Sequence, residues 1–450
     1  RSGGLGFLAN APDGSSTNVL TQDPRFVRYS TNQSSFTYQL EHHFNEIFTV
    51  RQNLRYARQK GFFNDFFAGG FDTPSQPFLL SRTAFSTKER LSQTLLDTHL
   101  EAKLDTGPVH HTMLYGVDWN RTNATLDYFE GSADGSVTPG IDLLNPVYPQ
   151  NIPRPDILVD DSRQKIDQIG FYVQDQIRYD ENWILTLSGR YDRVESTNTD
   201  LLASSKTTTN DSAFTGRAGL TYLFSNGIAP YTSFSQSFLP QTGFDASGNT
   251  FDPTRGTQYE VGVKFQPKNG RGLYTVSLFD LTKSNTLTRD PTNPMFRVQT
   301  GEIRSRGAEV EAKVELLEGL NFIGAFTYHD VEVLKSNDGN KGNSPIQVPT
   351  TITSGWLNYS MRNLGVEWLQ RFSIGGGVRY VGRVFDNEEN TSTTSAYTLF
   401  DASLRYDHDP VLFTITANNI FNKKYLSSKA FGSSFRGAER TVVGTLKYRF

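Results

Sequence analysis

Apolar and polar residues alternate singly along much of this chain. A period of two predicts β-strands, because successive strand side chains point to opposite faces. Phe36, Tyr38, Leu40 and Phe44 share one face, against Thr37, Gln39, Glu41 and His43. Phe48, Val50, Leu54 and Tyr56 repeat the pattern against Thr49, Arg51, Asn53 and Arg55, and Trp183, Leu185, Leu187 and Tyr191 stand opposite Thr186, Ser188, Arg190 and Asp192. Tyr259, Val261, Val263 and Phe265 oppose Glu260 and Lys264, while Leu320, Phe322, Phe326 and Tyr328 oppose Asn321, Thr327 and His329. The terminal segment reads Val442, Gly444, Leu446, Tyr448 and Phe450 on one face, with Val443, Thr445, Lys447 and Arg449 on the other. A soluble sandwich would bury the apolar faces in a dry core. These apolar faces are so aromatic, and the polar faces so charged, that the inverted arrangement fits better. The expected fold is an all-β, antiparallel transmembrane barrel with Phe265, Tyr328, Tyr448 and Phe450 toward lipid and Lys264, Glu309 and Arg449 toward the lumen.

The connections alternate in length. Short turns are expected at Asn45-Glu46, Thr106-Gly107, Asp180-Glu181, Ser225-Asn226-Gly227, Lys268-Asn269-Gly270, Glu318-Gly319, Arg362-Asn363 and Asp407-His408. Long polar segments separate them, near 59–85, 126–163, 197–211, 240–254, 284–296, 332–346, 383–395 and 426–435. Short periplasmic turns alternate with long extracellular loops in this manner in outer-membrane barrels. About 17 strands are legible by their alternation. A closed antiparallel barrel needs an even number, so the expectation is a barrel lacking its first strands, with residues 1–34 the remnant of an extracellular loop and 35–450 the barrel.

Composition excludes the competing classes. Only 36% of residues are hydrophobic and no apolar run is long enough for a membrane-spanning helix. Aromatics reach 13%, with 33 Phe and 20 Tyr, which suits strands with aromatic girdles. A net charge of −3 argues against nucleic acid as a partner. With no cysteine, neither a disulfide nor a thiolate metal site is available. In the pairs His42-His43 and His110-His111, adjacent strand residues face opposite ways, so neither pair chelates a metal as a unit. No Gly-x-Ser-x-Gly elbow occurs, and no enzyme activity is expected.

Several segments resemble the TonB-dependent siderophore receptors, most closely those for ferrichrome-like ferric hydroxamates. They include Thr49-Val50-Arg51-Gln52-Asn53-Leu54-Arg55, Tyr172-Val173-Gln174-Asp175-Gln176 and Gly189-Arg190-Tyr191-Asp192. Further on come Gln258-Tyr259-Glu260-Val261-Gly262-Val263-Lys264, the Gly301–Lys313 and Gly342–Pro349 runs, the Asn418–Tyr425 run and Gly437-Ala438-Glu439-Arg440. The resemblance follows the same order over nearly the whole chain. It implies a 22-stranded barrel plugged by an N-terminal domain, of which this chain matches about the last 17 strands without the plug. It also implies uptake of a ferric siderophore with energy from the TonB–ExbB–ExbD complex, as a monomer among outer-membrane lipid and lipopolysaccharide. Iron would arrive chelated, with no cofactor held by the protein itself. A passive, porin-like or substrate-specific diffusion channel is the alternative, and use as a phage or bacteriocin receptor is open to any such surface protein.

The candidate ligand residues follow from the resemblance. Five Phe lie in the expected loop from Gly61 to Phe71, read either as packing among long loops or as a wall of the siderophore pocket. Phe67 aligns there with a ligand-contacting Tyr. Leu5 and Phe7 align with Tyr and Trp contacts, Tyr128 or Phe129 with a pocket aromatic, and Ala430 or Phe431 with another in the last loop. Loss of the hydrogen-bonding rings at Leu5 and Phe7 implies a preference for a hydroxamate related to ferrichrome over ferrichrome itself. Glu260 and Glu309, inward by parity, read either as ordinary polar lumen or, by resemblance, as partners of plug arginines.

Overall fold

The computed structural model describes residues 7–9, 19–71, 77–241, 243, 245–293, 296–430 and 433–449. The strands in chain order are β1 (Phe7–Ala9), β2 (Arg28–His43), β3 (Phe48–Phe71), β4 (Leu79–Thr106), β5 (Val109–Glu130), β6 (Ile141–Asp142), β7 (Leu158–Tyr179) and β8 (Trp183–Asp200). Next come β9 (Ser205–Tyr222), β10 (Ile228–Leu239), β11 (Thr254–Phe265), β12 (Gly272–Arg289), β13 (Arg297–Leu317), β14 (Leu320–Lys335), β15 (Thr351–Ser360) and β16 (Phe372–Val381). The last are β17 (Val384–Phe385), β18 (Thr393–Thr394), β19 (Tyr397–His408), β20 (Val411–Asn418), β21 (Leu426–Ala430), β22 (Ser433–Arg436) and β23 (Thr441–Tyr448).

Seventeen of these form one antiparallel ladder: β2–β5, β7–β16, β19, β20 and β23, each bonded to the next. Among the described residues no ladder joins β2 to β23. β1, β21 and β22 form a separate small sheet, and β17 pairs with β18.

Register converts the alternation into two different surfaces. Val263, Val276, Val310 and Phe326 are partners across four strands and form an apolar row. One residue along, Gly262, Ser277, Glu309 and Thr327 form a polar row on the other face. The apolar face is exposed rather than buried: Phe265, Tyr328 and Tyr448 retain 36%, 52% and 56% of their surface. Two packed sheets around a dry core are therefore not what this chain builds; its rings suit a lipid environment. Phe450 lies outside the described residues.

Several expected boundaries move. The first ladder strand opens at Arg28, so residues 28–34, read as loop, belong to the wall. Gly61–Phe71 is not a loop but the upper part of β3; most of the expected segments 197–211 and 426–435, and the two ends of 126–163, are also strand. The physical reason is that strand length is not limited by membrane thickness. Above the apolar band both faces meet water, so the hydrophobic period fades while backbone pairing continues. Asp407 and His408 are still paired, placing the turn at Asp409-Pro410, and the link around Arg362-Asn363 holds two short 3-10 turns between β15 and β16. Asp180 and Glu181 take positive φ, 49° and 53°, in the three-residue connection between the paired Tyr179 and Trp183.

Candidate functional site

The upper wall is built by β3, β4, β5, β7 and β8, which rise well above the apolar band. No register shift interrupts β3–β4 pairing from Phe48 to Ala68, so the parity of Thr49 and Arg51 carries up to Asp65 and Phe67. Phe63 and Phe67 therefore face the lumen, whereas Phe62 and Phe66 face outward. Phe85 and Tyr128 share the inward face. Phe67 stacks on Phe85 at 4.4 Å between ring centroids, and Phe85 lies 5.9 Å from Tyr128. Phe63 meets Tyr29 edge-on at 5.5 Å. Tyr128 donates to Glu130 at 2.6 Å, and burial together with that carboxylate raises the phenol above its ordinary pKa, keeping the ring neutral. Below these rings, Gln59, Gly61, Glu89, Leu126, Gln164 and Asp200 border a recess of about 520 Å³.

A packed cap steadies this wall. Leu80, Ile141 and Leu143 are buried together, with Val19, Phe71, Phe78 and Tyr148 against them. Arg82 donates to the carbonyls of Thr21 at 2.7 Å and Pro139 at 2.9 Å, and lies over the Phe66 ring at 4.6 Å. Asp65 accepts from Gln22 at 2.6 Å and from the Tyr29 hydroxyl. Burial holds the Asp65 carboxyl above the usual range despite those bonds. The segment before β2 is thereby anchored beside the aromatic row.

Lower in the lumen the polar face carries paired charge. Glu260 accepts from Tyr231 at 2.5 Å and from Gln258 at 2.9 Å, and Lys264 lies over the Tyr231 ring at 5.1 Å. Glu309 accepts from Thr327 at 3.5 Å and lies two strands from Glu260 on the same face. Arg190 bridges Asp118 on β5 and Asp192 on β8. Arg379 forks onto Asp401 at 2.6 and 3.0 Å.

Against the sequence expectations, the register brings Phe67 and Tyr128 to one wall through Phe85. It directs Phe129 outward, where Lys88 covers its ring at 4.8 Å. Phe129 thus leaves the ligand set, because one residue along a strand reverses the face. Phe7 pairs with Phe435 and Ala430 with Ser433, so β1 joins the last-loop hairpin as a second group. Leu5 and Phe431 lie outside the described residues. Phe63 was among the five rings of Gly61–Phe71 but not set apart from the outward ones, which strand parity would have done; Phe85 was not among the sequence candidates and needed the register. The histidines bond separately, His43 to Thr49 and His111 to Asp175, and no cluster of three metal-ligating side chains occurs among the described residues.

The ladder, its two faces and the aromatic lumen wall coincide with a known family. Residues 1–422 match the family described as TonB dependent receptor-like, beta-barrel. The chain belongs to that family. It is 36% identical to the ferrichrome outer membrane transporter/phage receptor of Escherichia coli K12, over 94% of this chain and 59% of that protein. It is 34% identical to the ferrioxamine B receptor of Salmonella typhimurium LT2, over 94% and 59%. Its fold matches the siderophore receptor PiuA from Acinetobacter baumannii with a TM-score of 0.82 at 20% identity, covering 96% of this chain and 66% of that one. The chain thus spans about 59% of the length of these curated relatives. As a TonB-dependent receptor barrel it resides in the bacterial outer membrane, and its apolar rows are the lipid face.

Proposed function

We propose that this chain forms most of the barrel of a receptor that takes up ferric hydroxamate siderophores with energy from the TonB–ExbB–ExbD complex. The observation that carries the reading is the inward row Phe67–Phe85–Tyr128, with ring spacings of 4.4 and 5.9 Å above the recess. Chelated iron offers the protein an organic surface, so a receptor needs ring faces and a few polar groups rather than metal ligands. The names of the ferrichrome and ferrioxamine B relatives support the hydroxamate class. Phe7 and the Ala430 hairpin are proposed to complete the ligand contacts at the mouth with Leu5 and Phe431. Glu260 and Glu309 are proposed to receive arginines of a plug domain, since both carboxylates lie on the lumen face with no ion pair among the described residues.

Lipopolysaccharide is proposed as the outer-leaflet partner. Arg58, Lys60, Lys88, Arg90 and Arg163 point outward above the apolar band, and Lys60 stands directly opposite Arg90. Like charges directly opposed in a sheet repel, and lipid phosphates would relieve this.

The test uses the complete receptor in cells lacking other hydroxamate receptors, measuring binding and uptake of labelled iron. Phe67→Ala with Phe85→Ala is expected to weaken ferric hydroxamate binding about tenfold or more. Without a working TonB complex, binding is expected to persist while uptake stops. Unchanged hydroxamate affinity alongside strong catecholate binding would overturn the ligand class. Uptake that continues without TonB would establish the diffusion channel instead.

A further inference from the structure

The segment after β20 folds beside the start of β19 and leaves a recess lined by charge of one sign. The recess, about 610 Å³, lies between residues 393–397, residues 423–426, Lys429 and Arg436. Lys423, Lys424, Lys429 and Arg436 line it, and no carboxylate does. Lys429 donates to the Thr393 carbonyl at 3.2 Å and lies 3.6 Å from Asp386. Lys423 and Lys424 have no ion pair among the described residues, whereas charges lower in the lumen are paired, as at Arg51–Glu101, Arg190–Asp118 and Arg379–Asp401. The site is held in place from behind. Asn419, 3% exposed, accepts from the Lys423 amide at 2.8 Å and donates to the Lys423 carbonyl at 2.9 Å, so both main-chain groups of that residue are fixed. The Asn419 amide in turn donates to Asp401 at 2.8 Å, which ties the segment to the Arg379–Asp401 fork. Tyr425 packs on Tyr397 with 4.3 Å between ring centroids, and Gly437 makes room for it, since a Cβ there would sit 1.9 Å from the Tyr425 ring. Tyr397 shares the face of Leu399 and Asp401, so the ring pair lies on the lumen side of the wall.

We infer that this recess is an anion subsite of the mouth and that it seats a free carboxylate carried by the ferric hydroxamate, so that chelates with a carboxylate arm are favoured over neutral ones. The inference rests on the ferric hydroxamate reading above and adds a charge that the names of the relatives do not state. Ammonium groups without carboxylate partners, set beside ring faces, concentrate anions. A carboxylate accepting from an ammonium forms a charge-assisted hydrogen bond, and a phenol hydroxyl can donate to its second oxygen. The recess is larger than one small inorganic anion fills, which leaves space for an organic arm against the Tyr397 and Tyr425 rings. Phosphates of the outer leaflet meet the other face of the wall, so the anion that reaches this recess is one that enters the lumen.

The complete receptor is titrated with three probes: a linear ferric trihydroxamate ending in a free carboxylate, the same chelate as its methyl ester, and a neutral cyclic ferric trihydroxamate. Esterification is expected to weaken binding roughly tenfold, the worth of one charged hydrogen bond. Raising salt should shrink that difference. In Lys423→Gln with Lys424→Gln, the acid should fall to the level of its ester, while ester binding stays unchanged and reports an intact fold. Lys423→Arg with Lys424→Arg keeps the charge and should keep most of the preference. Equal or tighter wild-type binding of the ester would overturn the inference and leave the hydroxamate reading standing. A full preference for the acid retained in the Gln double variant would also overturn it. Failure of all three chelates to bind would instead remove the hydroxamate reading itself.

Discussion

Removing the guanidinium of Arg190 should destabilise the barrel by about 2–4 kcal/mol, and removing a carboxylate in addition should restore part of the loss. Arg190 donates to Asp118 at 3.0 Å through Nη2 and to Asp192 at 2.7 Å through Nε and 2.5 Å through Nη2. Asp192 is fully buried, with Gln168 as its other side-chain donor at 2.8 Å. Gly170 lies between the two carboxylate strands, and a Cβ there would sit 1.9 Å from Arg190 Nη2, so the glycine makes room for the bridge. In Arg190→Leu, two carboxylates on one face lose their shared cation, and Asp192, fully buried in the wild type, keeps only Gln168 as a side-chain donor. Fully buried pairs broken on one side cost about 3–5 kcal/mol. The side chains of Arg190 and Asp118 remain 30% and 26% exposed, which lowers the expectation to the range above. The assay is urea unfolding of the complete receptor in lipid vesicles, followed by tryptophan fluorescence and by gel mobility of the folded form. Asp192→Asn should cost roughly 1 kcal/mol less in the Leu background than in the wild type. A loss below about 0.5 kcal/mol, as for an exposed pair, or strict additivity of the two changes, would refute the reasoning.

Gly227→Ala should slow or reduce barrel refolding, at a cost of about 1–3 kcal/mol, because the turn needs φ of 90° and a Cβ would meet Gln266 O at 1.9 Å; refolding yield equal to wild type would contradict this. At the mouth, burial raises the Asp65 pKa above its unfolded value near 3.8, so the stabilisation by its neutral form is complete below that value and is lost as pH rises through the folded pKa. Hydrogen-exchange protection of residues 19–27 should therefore fall across that window in the wild type and stay flat in Asp65→Asn; equal profiles would remove Asp65 as the cause.

The membrane band was legible because water and lipid impose opposite demands on the two faces. Trp183, Leu185 and Leu187 against Ser188, Arg190 and Asp192 leave one orientation for β8, and Gly107, Gly227, Gly270 and Gly319 mark four of the hairpin reversals. The upper strands were hidden for the same reason in reverse. With water on both sides of Lys60–Asn64, polarity no longer alternates, so strand reads as loop. Once Gly61–Phe71 is read as loop, its five rings form one undivided set. As strand, the four before the register shift divide into Phe63 and Phe67 inward and Phe62 and Phe66 outward. Phe85 joins them only through pairing with Asp65, a partner 20 positions away that no local pattern announces.

On the upper part of β4 the sign of the charge alternates with the face, while on β5 and β7 Asp127 and Asp161 face outward beside the cations. Lys88 and Arg90 flank Glu89 on β4; the register sends the two cations outward and the carboxylate inward. Arg163 faces out between Ser162 and Gln164 on β7, while Lys60 faces out beside Gly61. A one-residue slip would bring the cations into the lumen and the carboxylates against the lipid surface. The frame set by apolar residues in the membrane therefore also fixes which charges face the lumen higher up, where Glu89 lies 7 positions beyond Leu96 and 11 beyond Leu100 on β4. Because the two sets of demands lie at different heights, inward residues of the mouth such as Glu89 or Thr87 can be exchanged independently of the membrane band. The band around Leu96 and Leu100, which holds the barrel in lipid, is untouched by such exchanges.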